Sequence, residues 1–289
     1  MTTNGTGSPT AVRRDLGQRL RDLRQGRDLT VAEAASRVGF SQSKLTKIEL
    51  AQVVAKRDEV LRLLDVYEET DPQQQAALLA MVRAGASKEW WENYHRFNPK
   101  LAMYLGLESV ATTLQAYDTH LALGLLQTPD YARALLRAAR PELLPHEIDR
   151  LVELRMRRQP ILTRTDPPPP TLWWVMEEAV LRRPVGGRET MHAQLQRLIE
   201  RSELPNVTLL VMPNDLGAHA GLDGPFAIFQ FETSARPVVY VDSPAGNLYL
   251  EKDDDLRRCQ QTMNHILAAA PSPERSLALI RQVAKEMKP

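Results

Sequence analysis

Thr30-Val31-Ala32-Glu33-Ala34-Ala35-Ser36-Arg37-Val38-Gly39-Phe40-Ser41-Gln42-Ser43-Lys44-Leu45-Thr46-Lys47-Ile48-Glu49 decides how the front of this chain folds. Thr30 followed by Glu33 has the spacing of a capping box, in which each side chain satisfies a backbone N–H at a helix start. The helix it predicts runs through Ala34, Ala35 and Val38. It stops at Gly39, because glycine tolerates the left-handed turn conformation. Ser41 is a good N-cap for a second helix, and Phe40 and Leu45 flank it at the spacing of a hydrophobic staple. Two short capped helices joined by a tight glycine turn make a helix-turn-helix unit.

The second helix is read at about 100° per residue. Leu45 and Ile48 point to one side and form the core face. Ser43, Thr46 and Lys47 lie nearly opposite, with Gln42 at the tip. A major-groove reader needs such a face, since base edges offer donors and acceptors; Gln pairs well with adenine, and Lys with guanine or a phosphate. Lys44, Lys56, Arg57, Arg13, Arg19 and Arg37 are the candidates for backbone contacts, which give affinity and position but no sequence choice. Upstream, Val12, Leu16, Leu20 and Leu23 recur at helical spacing until Gly26. Downstream, Asp58 to Tyr67 presents Val60, Leu61, Leu63 and Leu64 as a lid on a small core. Residues 11–67 carry twelve Lys/Arg against eight Asp/Glu, while the whole chain has a net charge of only +1. A basic front on a slightly acidic body fits nucleic-acid contact at one end. The alternative is a helical bundle with a solvated charged face. Two caps, a glycine turn and an outward face without large apolar groups favour the DNA reading.

Residues 13–67 resemble the XRE/Cro–C1 type of repressor domain, most closely over Val38–Glu49. Two departures stand out. Val31 occupies the place where many such domains put a DNA-contacting Gln, and Glu49-Leu50-Ala51 replaces the usual Glu-x-Gly. A headpiece of this size reads only a few base pairs, so a homodimer on a roughly palindromic stretch of double-stranded DNA is expected.

Beyond Tyr67, Asp71-Pro72 breaks the chain, and a helix from Gln73 to about Arg83 leads to Gly85 and Trp90-Trp91. Residues 88–163 read as mostly helical, with one helix from Leu105 to Leu126 (Leu114, Leu121, Leu125), one from Pro129 through Leu136 and one from His146 to about Arg158. Pro167 to Pro170 form a stiff extended loop. The period then changes. Leu172–Met176, Val207–Met212, Phe226–Phe231, Val238–Val241 and Leu248–Leu250 read as strands, with helices over Met191–Ile199, about Asp254–Ala269 and Pro273–Met287. The fold class expected is a mainly α N-terminal half, a repressor-like helical bundle, followed by an α+β C-terminal domain. The expected domains are a flexible tail (1–10), the DNA-binding domain (11–70), a helical connector (71–90) and a regulatory body (91–289), helical over 91–163 and α+β over 171–289.

The body resembles the WhiJ-like bacterial regulators. The matching stretches are Tyr104–Glu108, Gly124–Ala132, Leu181–Gly187, His219–Phe226 and Leu248–Lys252. The resemblance implies a large uncharacterised domain behind a repressor-type headpiece. It also implies a small neighbour-encoded partner protein, in some cases as a toxin–antitoxin-like pair.

His219 and Asp223, with Glu177 and Glu178, suggest an active site; a Gly-rich turn in which His219 makes a structural hydrogen bond is the favoured reading. H-E-x-x-H, paired cysteines and G-x-S-x-G are absent, so neither a catalytic activity nor a cofactor or metal is expected. Gly186-Gly187 is not followed by G-K-[ST] and is no phosphate loop. Arg182, Arg183 and Arg188 offer an anion site or a solvated charged turn. Trp173 and Trp174 fall on opposite faces of a strand, one in the core and the other against a pocket, a ligand or a dimer partner. Gly124–Pro129 is either a partner-facing loop or a helix end followed by a helix capped at Thr128.

Cys259 is the only cysteine, so no intrachain disulfide is possible. No stretch approaches the ~20 apolar residues of a membrane span. Met1–Thr10 has no apolar segment of the kind a secretory signal needs. A cytoplasmic protein without membrane contact is expected.

Overall fold

Leu16 and Leu20 form one buried stripe along the first helix, α1 (Pro9–Gln25), in a computed structural model that describes residues 9–87, 90–91, 101–232, 236–243 and 246–288. The described residues up to Val110 form one unit, and those from Ala111 onward a second. In the first unit, α2 (Val31–Val38) starts at the Thr30–Glu33 capping box and ends at Gly39, whose φ of 76° is left-handed. Ser41 caps α3 (Gln42–Glu49) by accepting the Lys44 N–H. Next come α4 (Arg57–Val66) and α5 (Pro72–Gly85), the latter capped by Asp71 with Pro72 in its first turn. α6 (Leu101–Val110) closes the unit. Leu16, Leu20, Ala34, Ala35, Val38, Leu45, Ile48, Val60, Leu63, Leu64, Tyr67 and Leu78 share one core. Nonlocal burial of these apolar stripes, more than intrinsic propensity, holds such short helices.

Two expectations change here. Pro9 and Thr10, expected in a flexible tail, belong to α1, and Thr10 is buried; residues 1–8 lie outside the described residues. The helix expected from Leu105 to Leu126 stops at Val110, and Thr113–Asp118 is a strand, β1. The stretch expected to be mostly helical therefore supplies a central strand.

The second unit is a mixed six-stranded sheet in the order β3-β2-β1-β4-β5-β6. β2 is Thr171–Glu177, β3 Val207–Met212, β4 Phe226–Gln230, β5 Val238–Val241 and β6 Leu248–Leu250. β1, β2 and β3 run parallel, and β4, β5 and β6 are antiparallel. The crossover from β1 to β2 carries α7 (Pro129–Ala139) and α8 (Pro145–Arg158). That from β2 to β3 carries α9 (Glu178–Arg182) and α10 (Arg188–Arg201). Parallel neighbours need such crossovers, whereas β4 to β6 follow one another through short connections. Two helices end the chain, α11 (Asp253–Ala269) and α12 (Pro273–Glu286).

Successive strand residues face opposite ways. Tyr117, Val175, Leu210, Met212, Ile228 and Val239 pack on Met263 and Ile266 of α11. Leu114, Ala116, Leu172, Trp174, Met176, Leu209, Val211 and Phe229 are buried on the other face. A sheet buried on both faces is the arrangement expected of parallel strands. Among the described residues, no helix is long and apolar enough to cross a membrane.

Candidate nucleic-acid interface

Leu45 and Ile48 anchor α3 in the core, and its remaining positions follow from the helical period. Gln42, Ser43, Thr46 and Lys47 are exposed on one side. Among the described residues, no hydrogen bond or ion pair occupies their side chains. Donors and acceptors left open on one helical face are what a base edge requires.

Both ends of α3 are pinned by charge. At its C-terminal end, Glu49 is buried and meets Arg24 of α1 in a bidentate pair: Nε donates to Oε1 at 2.7 Å and Nη2 to Oε2 at 3.0 Å. Arg24 Nη1 also donates to the Leu29 carbonyl at 2.7 Å. The Glu49 hydrogen bonds raise the Arg24 pKa above its ordinary value despite burial. In the first turn of α3, Lys44 Nζ lies 2.7 Å from Glu59 Oε1 of α4 and 4.2 Å from the centroid of the Phe40 ring. Arg62 lies over the same ring at 4.9 Å. Glu59 Oε2 accepts the Lys56 N–H at 3.0 Å. Burial works to raise the Glu59 carboxyl, but Lys44 and the Lys56 N–H outweigh it and hold its pKa below the usual range.

The other residues proposed to touch the DNA backbone divide into two groups. Arg37, Lys56 and Arg57 are exposed. Arg13 is engaged, its Nε donating to the Gly85 carbonyl at 2.6 Å and its Nη2 to that of Ser87 at 3.1 Å, so it ties α1 to the end of α5. Arg19 pairs with Asp15 one turn back at 3.0 Å. Val31 packs against the core, so the first residue of α2 offers no polar group. Ala51, in place of a glycine, takes a left-handed φ of 54°.

Sequence reasoning missed Arg24, Glu49 and Glu59 as positioning groups. Two signals were present. Arg24 continues the Leu16–Leu20 stripe at four-residue steps, and Glu59 stands three residues after Lys56, the spacing of a capping carboxylate.

In the second unit, the turn at 217–224 folds onto the end of the sheet. The Tyr117 hydroxyl donates to Glu177 Oε1 at 2.5 Å, and His219 Nε2 lies 3.1 Å from the same oxygen. His219 Nδ1 accepts the Gly221 N–H at 3.2 Å, which places the ring proton on Nε2. A Cβ on Gly221 would lie 2.5 Å from Tyr117 Cζ, so only glycine fits against that ring. Asp223 is exposed and takes no part in this group. On the opposite face, Trp174 Nε1 donates to Asp118 Oδ2 at 2.8 Å. Burial pushes the Asp118 carboxyl up to about 7; the indole bond opposes that rise and the charge of Asp242 adds to it.

Trp174 is therefore wholly core, while Trp173 is half-buried against the α11 cluster. Arg182 is engaged by Glu178 at 2.5 Å and Glu286 at 2.8 Å, and Arg188 donates to the Glu286 carbonyl. Arg183 is exposed. These arginines do not converge on an open anion site. The Gly124–Pro129 segment is held from inside. Gln159 donates to the Gln127 carbonyl at 2.6 Å, Gln194 donates to the Leu126 carbonyl at 2.8 Å, and Thr128 caps α7. Among the described residues, no group of three or more His, Cys, Asp or Glu is placed to hold a metal ion.

Residues 101–282, from the start of α6 to near the end of α12, match the family described as Domain of unknown function (DUF5753). The chain belongs to that family. Residues 15–78 match the family described as Helix-turn-helix domain, which takes in most of α1 and all of α2 to α4. No curated protein and no solved structure matches the chain. The helix-turn-helix match supports a DNA-binding role for the first unit.

Proposed function

We propose that this protein is a sequence-specific DNA-binding transcriptional regulator that inserts α3 into the major groove. The observation that carries the reading is the exposed, unpaired set Gln42, Ser43, Thr46 and Lys47 on a helix held at both ends. In this reading Gln42 and Lys47 touch base edges, Arg37, Lys56 and Arg57 touch phosphates, and no catalytic step is involved. The finer resemblances to XRE/Cro–C1 headpieces and WhiJ-like regulators support a homodimer on a palindromic operator. They also support a body that answers to a small ligand or a small partner protein. An antitoxin-like role, in which the body sequesters such a partner and the headpiece autoregulates, is the alternative. A complex with that partner that persists without DNA favours it.

The test is selection of bound sequences from a random duplex pool at stated, near-physiological salt. The expected result is an enriched, roughly palindromic sequence. Gln42→Ala and Lys47→Ala are each expected to weaken binding to it by about 1–3 kcal/mol. Unchanged affinity in both variants removes the recognition face from α3.

A further inference from the structure

We infer that Lys44, though it sits on the recognition helix, is a positioning residue that fixes the tilt of α3 through Glu59, and that it contributes no phosphate contact. This rests on the DNA-binding reading above. α3 is only eight residues long, and its two ends are tied to different helices. Its last residue, Glu49, is locked to α1 by Arg24. Its first turn is locked to α4 by Lys44. Between these ties the only cation on the open face is Lys47.

Three features single out Lys44. Its charge is already matched: Glu59 Oε1 faces it at 2.7 Å, and the side chain of Glu59 is only 11% exposed. Its ammonium lies over Phe40, the residue that joins the two helices of the motif, so moving it to a phosphate breaks a cation–π contact as well as an ion pair. Glu59 is itself fixed, because its second oxygen caps α4 at the Lys56 N–H. A lysine reaching for phosphate has to leave a carboxylate that cannot follow it. The exposed cations that remain around this corner are Lys47, Lys56, Arg57 and Arg62.

A phosphate contact and a positioning role separate in the salt dependence. A lysine on a phosphate releases counterions, and its loss lowers the slope of log K against log salt by about 0.9. Loss of a positioning group leaves the slope alone and degrades discrimination instead. The full-length protein is titrated with the sequence enriched by the wild type and with a mixed-sequence duplex, over a range of salt. Lys44→Met keeps the stem over Phe40 and removes the charge. Glu59→Gln keeps an oxygen for the Lys56 N–H and removes the counter-charge. Both are expected to reduce the ratio of specific to mixed-sequence binding by up to about fivefold, the scale of an ion pair of this exposure. The slopes are expected to match the wild type, and Lys44→Arg to restore the ratio.

A slope shallower by about one in Lys44→Met, with tighter binding in Glu59→Gln as the lysine is released, overturns the inference. So does an absence of coupling between Lys44→Met and Glu59→Gln in unfolding without DNA, because the tie must exist before DNA binds. If selection enriches no sequence, the DNA-binding reading falls and the inference with it. If selection succeeds and only the slope changes, the reading stands and the inference alone falls.

Discussion

The scaffold around α3 and the end of the sheet treat carboxylates in opposite ways. In the headpiece, each buried carboxylate near α3 has a cation: Glu49 has Arg24, and Glu59 has Lys44. At the end of the sheet, Asp118 is bonded to an indole N–H, and Glu177 to a phenol and an imidazole. Opposite charges within hydrogen-bond distance stabilise the ionised form of a carboxylate, whereas burial without a counter-charge disfavours it. Lys44 thus helps to hold the Glu59 carboxyl below its usual range, whereas burial pushes that of Asp118 up to about 7.

The sharpest way to break the comparison is on the headpiece side. Glu49→Ala leaves Arg24 buried without a counter-charge and is expected to cost about 3–5 kcal/mol, read as a fall in the denaturant midpoint. Arg24→Met combined with Glu49→Leu is expected to recover most of that loss. If Glu49→Ala behaves like a surface substitution, the headpiece does not depend on its paired charges.

The next largest effect belongs to the body. Folding raises the Asp118 pKa from 3.8 to about 7, so the folded chain holds a proton that the unfolded chain has released. The favourable contribution is complete below about pH 4 and is lost as pH rises toward 7. Asp118→Asn is expected to flatten that decline, which amounts to on the order of 2–4 kcal/mol. Melting curves of both proteins across this range, superimposable in slope, would contradict the contrast between the units.

Two smaller substitutions sharpen the picture. Gly221→Ala forces a methyl into the Tyr117 ring and is expected to cost about 1–3 kcal/mol, read in the melting temperature. Glu68 follows α4 at a left-handed φ of 50°, and its side chain is 73% exposed. Glu68→Gly is expected to stabilise the headpiece by about 0.5–1 kcal/mol, since relief of the backbone outweighs a solvent-exposed pair with Arg27.

Local signals carried the headpiece into view. Thr30, Glu33, Gly39 and Ser41 act within a few residues of themselves, so their roles are legible without knowing what they pack against. β1 was not legible for the opposite reason. It is central, with β2 on one side and β4 on the other, and it pairs only with segments distant in the chain, so no hairpin turn marks it and the alternation Thr113-Leu114-Gln115-Ala116 is too short to stand out. Leu114, Leu121 and Leu125 fall at helical spacing by coincidence, the first in the strand, the second in the loop that follows and the third in a short 3-10 turn over Gly124–Leu126. Thr112, Thr113 and Tyr117 were the contrary signal, favouring a strand. Which residues of α3 face outward was legible from angle alone. Which cations were already engaged was not, because Glu59 and Gly85 reach Lys44 and Arg13 only through the tertiary fold.

The division of labour along α3 has a practical reach. Leu45, Ile48 and Glu49 face inward and hold the helix, while Gln42, Ser43, Thr46 and Lys47 face outward and hold nothing. In the DNA-binding reading proposed above, the outward four behave as an exchangeable reading head in a fixed socket, and on that reading sequence preference can drift, or be reprogrammed, without renegotiating the fold that presents it.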